Sequence, residues 1–456
     1  MTTGVTRSQR FVLALVCAVA VSTIYAIQPV LEVAGTDLGS ARESLGGLVA
    51  AGQLGYFAGL VLLVPLGDVM DRRRLITVHL VLTAGGAAVA AAAPNSTVAV
   101  VGLAAAGLFA VVVQVTVAYV AAASAPGERG RNIGAVTSGV VIGILGVRVL
   151  AGALGDTVGW RAVYALLAVL CVALAGAVRV TLAPDRRTPG TRYGQVLTSM
   201  GRLVRTDRLF LTRGLITFFL FASFGTLWSG LALPLGAEPW NFGTTQIGLF
   251  GAAGLAGALG AARAGRWADS GHAQAITGFS LVLLSASWLL IDRTETTLWP
   301  LIAGIVLLDF AVQAVHVSSQ HLLTAAHPDR TSSVIGAYMA FYSLGSALGA
   351  LTTTWTYSTW GWAGCCRIGA AYALSALALW GLTQVTGITR HRAGSPPPTT
   401  AASRHDSLAL PARSRYRRGL GRRSGPPVGA ARCDLPFDTS NGVTESPDIA
   451  VRQRDY

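Results

Sequence analysis

The chain has 456 residues, of which 52% are hydrophobic and 12% are charged, and its mean hydropathy is +0.55. Soluble domains carry about 25% charged residues, so this composition excludes an ordinary soluble protein and indicates one that crosses a membrane. The net charge of +14 comes from arginine, because the sequence contains no lysine. The arginine distribution described below accounts for this charge through membrane topology, and we expect no nucleic-acid partner.

Long apolar runs predict transmembrane helices along the whole chain. A helix needs about 20 apolar residues to cross the hydrocarbon core, and runs without polar alternation favour helices over a β-barrel. The first run is too long for the core of a cleavable signal peptide. We therefore predict an all-α membrane protein with twelve transmembrane helices. The runs are 11–33, 45–66, 75–93, 97–123, 133–154, 160–182, 213–235, 243–264, 273–292, 298–323, 333–355 and 362–386.

The arginines predict which side of the membrane each loop occupies. All but five of the 35 lie at the N-terminus, in loops that follow even-numbered runs, or in the C-terminal tail. The five exceptions are Arg42, Arg148, Arg161, Arg293 and Arg367. Cytoplasmic loops are enriched in basic residues, so this pattern predicts that the N and C termini are both cytoplasmic.

Short segments recur at a nearly constant spacing of about 200 residues, which predicts two parallel-repeat six-helix bundles. Such repeats are typical of transporters with a central site between the bundles. The matching segments are Gly67–Asp71 with Gly265–Asp269, Gly134 with Gly336, and Gly159–Trp160 with Gly361–Trp362. The predicted domains are an N-terminal bundle (1–182), a cytoplasmic middle loop (183–212), a C-terminal bundle (213–389) and a disordered Arg/Pro/Ser-rich cytoplasmic tail (390–456).

The turn after the second run, GDVMDRRR, concentrates charge between two apolar runs. One interpretation is a conformational gate, in which carboxylates and arginines pair across helix ends and release them during a conformational change. Exposed ion pairs contribute only ~0–1 kcal/mol each, so only a network of such pairs would hold the helix ends together. The other interpretation is that the arginines only fix the topology. The candidate gate residues are Gly67, Asp68, Asp71 and Arg72, with Gly265 and Asp269 in the second copy.

A polar stripe lies in the tenth run. Asp309, Gln313, His316 and Gln320 are spaced at i, i+4, i+7 and i+11, which places them on one helix face. An Asp at a helix centre costs ~2.5–3.5 kcal/mol on insertion scales, so it should face protein, water or a partner. A carboxyl group held away from water favours its protonated form, so Asp309 is a candidate proton carrier. Alternatively, the stripe only forms hydrogen bonds to neighbouring helices.

Arg148, in the fifth run, is the second intramembrane charge. We consider an ion pair between Arg148 and Asp309, which would join the two halves and break on protonation, as part of proton coupling, because Asp309 is the only acidic residue that we place near mid-membrane. Two other roles stay open for Arg148: its side chain could extend to the membrane interface, or it could bind an anionic substrate.

These features together resemble the major facilitator superfamily, in particular its bacterial drug/proton antiporter-like members. Gly67, Asp71 and Arg72 match the superfamily turn G-x-L-A-D-R-x-G-R-R, although the stretch is shortened and its second Gly is absent. The antiporter signature G-x-x-x-G-P-x-x-G is present in the fifth run as Gly139, Gly143 and Gly146, with Ile144 in place of Pro. The resemblance covers residues 8–389.

The resemblance implies a secondary active transporter in a bacterial cell membrane, which exports a small organic molecule in exchange for protons. It also implies that the tenth span lines the central cavity. Candidate cavity residues are Tyr25, Gln28, Gln53, Tyr56, Gln114, Tyr119, Trp228, Gln313 and His316. An uptake symporter of the same fold and a non-transporting membrane sensor are the alternatives.

No phosphate-binding loop of the G-x-x-x-x-G-K-[ST] kind is present, since there is no lysine. The five cysteines show no metal-ligand spacing. We therefore expect no enzymatic activity, no cofactor and no metal, and we expect protons, a small-molecule substrate and the lipid bilayer as partners. The sequence leaves the substrate and the oligomeric state open.

Overall fold

The computed structural model describes residues 5–125, 127–184, 193–261, 273–327 and 331–385, and all regular secondary structure in these ranges is helical. The helices are α1 (Arg7–Tyr25), α2 (Leu31–Asp37), α3 (Leu45–Leu62), α4 (Arg72–Ala91), α5 (Ser96–Phe109), α6 (Val112–Ala123), α7 (Arg129–Thr157), α8 (Trp160–Thr181), α9 (Tyr193–Thr206), α10 (Arg208–Gly230), α11 (Ala232–Gly236), α12 (Thr244–Gly260), α13 (Ala273–Ile291), α14 (Leu298–Ala326) and α15 (Thr331–Val385). Short 3₁₀ turns cover Arg42–Ser44, Val64–Asp68 and Asp292–Glu295.

The helices account for every predicted apolar run. Each run overlaps at least one helix, and ten helical segments in the described ranges are long and apolar enough to cross a membrane. The helix α12 is not among the ten, because its described part has only 17 residues. Most of α15, Val334–Val385, is one of the ten although it is long enough for two spans. The molecule is therefore an all-helical membrane protein with about ten or more apolar helices, and the total of twelve spans stays a prediction.

The first predicted run is not one continuous helix. The helix α1 ends at Tyr25, and α2 begins only at Leu31. Pro29 lies in this gap, and proline has no backbone N–H to continue a helical hydrogen-bond ladder. The break places the side chain of Gln28 in the buried interior, where it is 2% exposed.

The repeated Gly–Trp pairs mark equivalent reversals in the two halves of the chain. Gly159, between α7 and α8, has φ 95°, and Gly361, inside α15, has φ 63°. Glycine adopts such positive φ values without steric cost. After Gly361 the chain folds back on itself, since the Tyr372 hydroxyl donates to Thr352 Oγ1 at 3.2 Å. The segments 331–360 and 362–385 are thus two helices joined at a glycine.

Parts of the predicted organisation fall outside the described residues. These parts are 185–192 in the predicted middle loop, Gly265 and Asp269, and 386–456, which includes the tail. The described portion of the predicted middle loop contains the helix α9. The Tyr193 hydroxyl on this helix donates to the carbonyl oxygen of Leu62 at 2.6 Å, so α9 is attached to the end of α3.

Candidate functional site

A cavity of about 710 Å³ lies between the first half of the chain (α1–α8) and the second half (α10–α15). Tyr25 at the end of α1 and Asp309 near the middle of α14 line it, and its lining extends to Gly67 in the 64–68 turn and to Gly336 near the start of α15. We call the end that carries these two glycines the cavity end and the opposite end the closed end. Both halves of the chain therefore contribute to the cavity wall.

The polar stripe of α14 faces this cavity, and all four of its residues line it. The two imidazole nitrogens of His316 have partners, Nδ1 at 3.1 Å from the Tyr338 hydroxyl and Nε2 at 2.9 Å from Gln320 Nε2. Asp309 is only 2% exposed, and its Oδ2 atom has no hydrogen-bond partner. A buried carboxyl oxygen without a partner is costly, so this atom is poised to bind a proton, water or a ligand.

Three other predicted residues, Tyr25, Tyr56 and Gln114, also line the cavity. Gln114 Nε2 donates to the Tyr56 hydroxyl at 3.3 Å. The Tyr25 hydroxyl is hydrogen-bonded to the Tyr342 hydroxyl. Because Tyr25 is the last residue of α1 and Tyr342 belongs to α15, this phenol pair connects the two halves of the chain.

Four residues predicted for the cavity wall lie elsewhere, namely Gln28, Gln53, Tyr119 and Trp228. The Tyr119 hydroxyl donates to the carbonyl oxygen of Ala183, at the start of the segment after α8. Gln53 is fully buried and lies outside the cavity lining. Helical periodicity identifies polar positions, but the neighbouring helix that each one meets depends on tertiary packing.

Gln28 and Trp228 instead surround Arg148, which is 2% exposed and does not line the cavity. Arg148 donates from Nε and Nη2 to Gln28 Oε1, at 3.1 and 2.8 Å, and from Nη1 to the carbonyl oxygen of Ile144 at 2.9 Å. Its guanidinium carbon lies 3.8 Å from the centre of the Trp228 ring. The buried cation is therefore stabilised by an amide, a backbone carbonyl and an aromatic face.

The candidate gate residues of the first copy, Gly67, Asp68, Asp71 and Arg72, lie at the cavity end. Gly67 and Asp68 line the cavity, and Arg72 Nη2 lies 3.7 Å from Asp68 Oδ1. Asp71 Oδ1 accepts from the backbone N–H of Arg74 at 2.7 Å, so Asp71 caps the N-terminus of α4. This capping gives Asp71 a structural role beside its proposed role in a gate.

At the closed end the two halves pack closely through α7 and α12. A Cβ atom placed on Gly152 would lie 2.3 Å from the carbonyl oxygen of Thr244 and 3.0 Å from the Cα atom of Gly248. The helices α3 and α15 also meet there, where the Gly46 backbone N–H donates to Thr354 Oγ1 at 3.1 Å. Backbone contacts this short require glycine, so the closed end is sealed by helix packing.

Asp156 adds a polar connection to this seal. Its Oδ1 accepts from the backbone N–H and the hydroxyl of Thr244, at 2.8 and 2.7 Å, and its Oδ2 accepts from the Thr245 N–H at 2.7 Å. A carboxylate at a helix N-terminus satisfies free N–H groups and interacts favourably with the helix dipole. Asp156 at the end of α7 therefore caps α12, a helix of the other half.

Asp156→Ala is expected to separate the two halves at the closed end in a larger fraction of molecules. Loss of a capping side chain costs ~1 kcal/mol. This changes the equilibrium between molecules with the closed end together and molecules with it separated by a factor of about five. The measurement is the distance between spin labels on Thr36→Cys and Thr296→Cys, both at exposed positions of that end, in a Cys433→Ser background. The four described native cysteines are buried.

Thr157→Ala is the matched control, because the Thr157 hydroxyl donates to the carbonyl oxygen of Ala153 in its own helix. Equal distance distributions for Asp156→Ala and Thr157→Ala would show that the Asp156 contacts do not hold the closed end together.

The sequence interpretation did not identify Tyr342, Phe221 or Asp156. The Phe221 ring lies 4.0 Å from the Tyr342 ring and 5.4 Å from the His316 ring, measured between centroids, and all three residues line the cavity. Aromatic residues in apolar helices are usual, so their identity gave no signal. Asp156 had a weak sequence signal, because it is a carboxylate three residues before the Gly–Trp reversal. Its partners could not be inferred from that position, since they are 88 and 89 positions away.

Comparison with known proteins identifies the family. The Major Facilitator Superfamily model matches residues 12–291 and 214–423, and the chain belongs to this family of transporters. The chain is 38% identical over 368 residues to the "Uncharacterized transporter YgaY" of Escherichia coli O157:H7, a match that covers 81% of this chain and 93% of that one. It is also 28% identical over 281 residues to a "Chloramphenicol resistance protein" of Streptomyces lividans, covering 59% and 68% of the two chains.

Among solved structures, the fold is similar to that of a bacterial homologue of the human lysosomal transporter Spinster, in an inward-facing and unoccupied conformation. The TM-score is 0.71 with 13% sequence identity, and the match covers 85% of this chain and 98% of that one. The protein is thus a multi-pass membrane protein with the major facilitator fold.

Proposed function

We propose that this protein exports a small organic molecule across a bacterial cell membrane in exchange for protons, by alternating access of one central cavity. The observation that carries the proposal is Asp309, a buried carboxyl group that lines the cavity and has an oxygen without a hydrogen-bond partner. Ionisable residues within membrane spans commonly mark proton pathways. In this proposal Asp309 is the proton carrier.

The arginine distribution supports a cytoplasmic location for the cavity end and for both termini, in a chain of twelve spans. Arg72, Arg73 and Arg74 follow the turn at the cavity end. In the state described by the structure, with the cavity end open, Asp309 releases its proton toward the cytoplasm and the cavity accepts the substrate. After the closed end opens and the cavity end closes, Asp309 binds a proton from the other side and the substrate leaves.

The cavity lining favours an amphipathic organic substrate. Aromatic rings of Phe221, Phe224 and Tyr342 line one side, and the amide of Gln313 and the hydroxyl of Tyr56 add hydrogen-bonding groups. Apolar walls with a few polar groups are typical of small-molecule sites. The similarity to a chloramphenicol resistance protein supports export as the direction.

Everted membrane vesicles test this proposal. Respiration acidifies their interior, and a pH-sensitive dye follows the gradient while lipophilic cations, antibiotics and sugars are added in turn. We expect at least one compound to dissipate the gradient in vesicles that contain the protein and not in vesicles without it. A saturable inward flux in whole cells, with no response in the vesicles, would instead favour the uptake symporter.

Asp71→Asn separates capping from gating at the 64–74 turn. Asparagine caps a helix about as well as aspartate, so we expect an unchanged thermal stability but a transport rate lowered several-fold by the loss of charge. Asp71→Ala should lower the transport rate and also cost ~1 kcal/mol of stability. Normal transport by Asp71→Asn would assign the carboxyl group to capping and leave the arginines a topological role.

A further inference from the structure

Arg148 and Asp309 are both buried, but they do not form the direct ion pair considered from the sequence, because the hydrogen bonds of the Arg148 guanidinium group go to Gln28 and Ile144. Each contributes to the electrostatic environment of the other. The guanidinium group of Arg148 donates to Gln28 and to the Ile144 carbonyl oxygen, while Asp309 Oδ2 has no hydrogen-bond partner. Opposite buried charges attract strongly in a low dielectric, so their separation requires a physical cause.

The indole ring of Trp228 lies next to both Arg148 and Asp309. Its face lies against the guanidinium group of Arg148, with 3.8 Å from the guanidinium carbon to the ring centre. Its edge lies near the carboxyl group of Asp309, since both groups adjoin Gly254. A Cβ atom placed on Gly254 would lie 2.7 Å from Trp228 Cζ2 and 3.0 Å from Asp309 Oδ2. Trp228 is 4% exposed and does not line the cavity. It is therefore a packed element of the protein interior.

We propose that Trp228 is a positioning residue that keeps the guanidinium group of Arg148 from pairing directly with Asp309. A carboxylate in direct contact with a cation holds its charge and binds a proton poorly. The aromatic face gives the cation an alternative partner, and it leaves the carboxyl group at the cavity wall without a cation in direct contact. This inference rests on the proposed function, in which Asp309 exchanges a proton with the cavity.

The positions of the two charged groups support this assignment. Asp309 lines the cavity, whereas Arg148 lies outside its lining. The cation is also enclosed by the rings of Tyr25 and Phe224, at 5.6 and 5.7 Å from the guanidinium carbon. Both rings line the cavity, so they stand between the cation and the cavity, whereas Asp309 is itself part of the cavity wall.

A carbodiimide that partitions into membranes tests the proposal without any transported compound, because such reagents modify protonated carboxyl groups in apolar surroundings. The purified full chain in liposomes is treated with dicyclohexylcarbodiimide, and mass spectrometry follows modification of the peptide that contains Asp309. We expect modification in the wild type and none at this position in Asp309→Asn. In Trp228→Leu, the freed Arg148 pairs with Asp309, and modification slows at least about tenfold.

Two further variants separate positioning from packing. Trp228→Phe keeps an aromatic face and is expected to be modified at close to the wild-type rate. Trp228→Leu combined with Arg148→Gln is expected to regain modification, because the competing cation is gone. Wild-type modification of Trp228→Leu, or no recovery in the double variant, would overturn the proposal. The vesicle assay does not depend on this result. Failure of the proposed proton-coupled export can therefore be distinguished from failure of the positioning role of Trp228.

Discussion

Asp309→Asn is expected to abolish the response of transport to a proton gradient while exchange of substrate down its own gradient persists. Asparagine has nearly the same size as aspartate and keeps a polar group in the cavity wall, but it cannot bind a proton at the carboxyl position. The cavity should thus stay intact while coupling is lost. The buried, unpartnered oxygen of Asp309 makes this the largest functional effect that we expect.

The measurement uses the everted vesicles with a compound that dissipates the gradient in the wild type. Glu128→Gln is the control, because Glu128 is an exposed carboxylate that pairs with Arg131 at the surface. We expect this control to behave like the wild type. A wild-type response from Asp309→Asn with the same compound would make Asp309 structural and refute the coupling role.

Gly152→Val is expected to prevent the closed end from forming. The added side chain would meet backbone atoms of α12, with its Cβ 2.3 Å from the Thr244 carbonyl oxygen, and backbone atoms cannot move aside as a flexible side chain can. Overpacking a tight contact costs ~1–3 kcal/mol or more. Because this contact joins the two halves, each half should still fold, and the molecules should populate states in which the closed end is separated.

Spin-label distances between positions 36 and 296 measure this effect, and loss of active transport accompanies it. Gly146→Val on the same helix is the matched control, because a Cβ there would contact only Ile142 Cγ2 of its own helix, at 3.8 Å. We expect longer distances in Gly152→Val and unchanged ones in Gly146→Val. An unchanged distribution in Gly152→Val would mean that α7 and α12 can pack without the glycine contact.

The sequence predicted those features that depend on neighbouring residues along the chain. Apolar length identified the helices, and the repeated Gly–Trp pairs at 159–160 and 361–362 identified equivalent reversals, since positive φ at glycine is a local property. The polar stripe on α14 was also local, because helical periodicity alone places Asp309, Gln313 and His316 on one face. The structure places that face on the cavity.

Features that depend on contacts between distant segments were not predictable in this way. Trp228 was interpreted as a cavity residue, but the long side chain of Arg148, from α7, lies against its ring. Tyr119 was interpreted likewise, although its hydroxyl reaches the segment after α8. The cap that Asp156 provides joins residues 88 and 89 positions apart, so no local pattern reveals it.

The phenol pair of Tyr25 and Tyr342 has an electrical consequence. In the proposed state with the cavity end open, solution would fill the cavity, so we expect the voltage across the membrane to fall mainly between this pair and the closed end. One elementary charge that crosses the full voltage gains ~2.3 kcal/mol per 100 mV. Because the Arg148 guanidinium group lies against the Tyr25 ring and outside the cavity lining, we expect the membrane potential to act on its charge in the proposed state with the cavity end open.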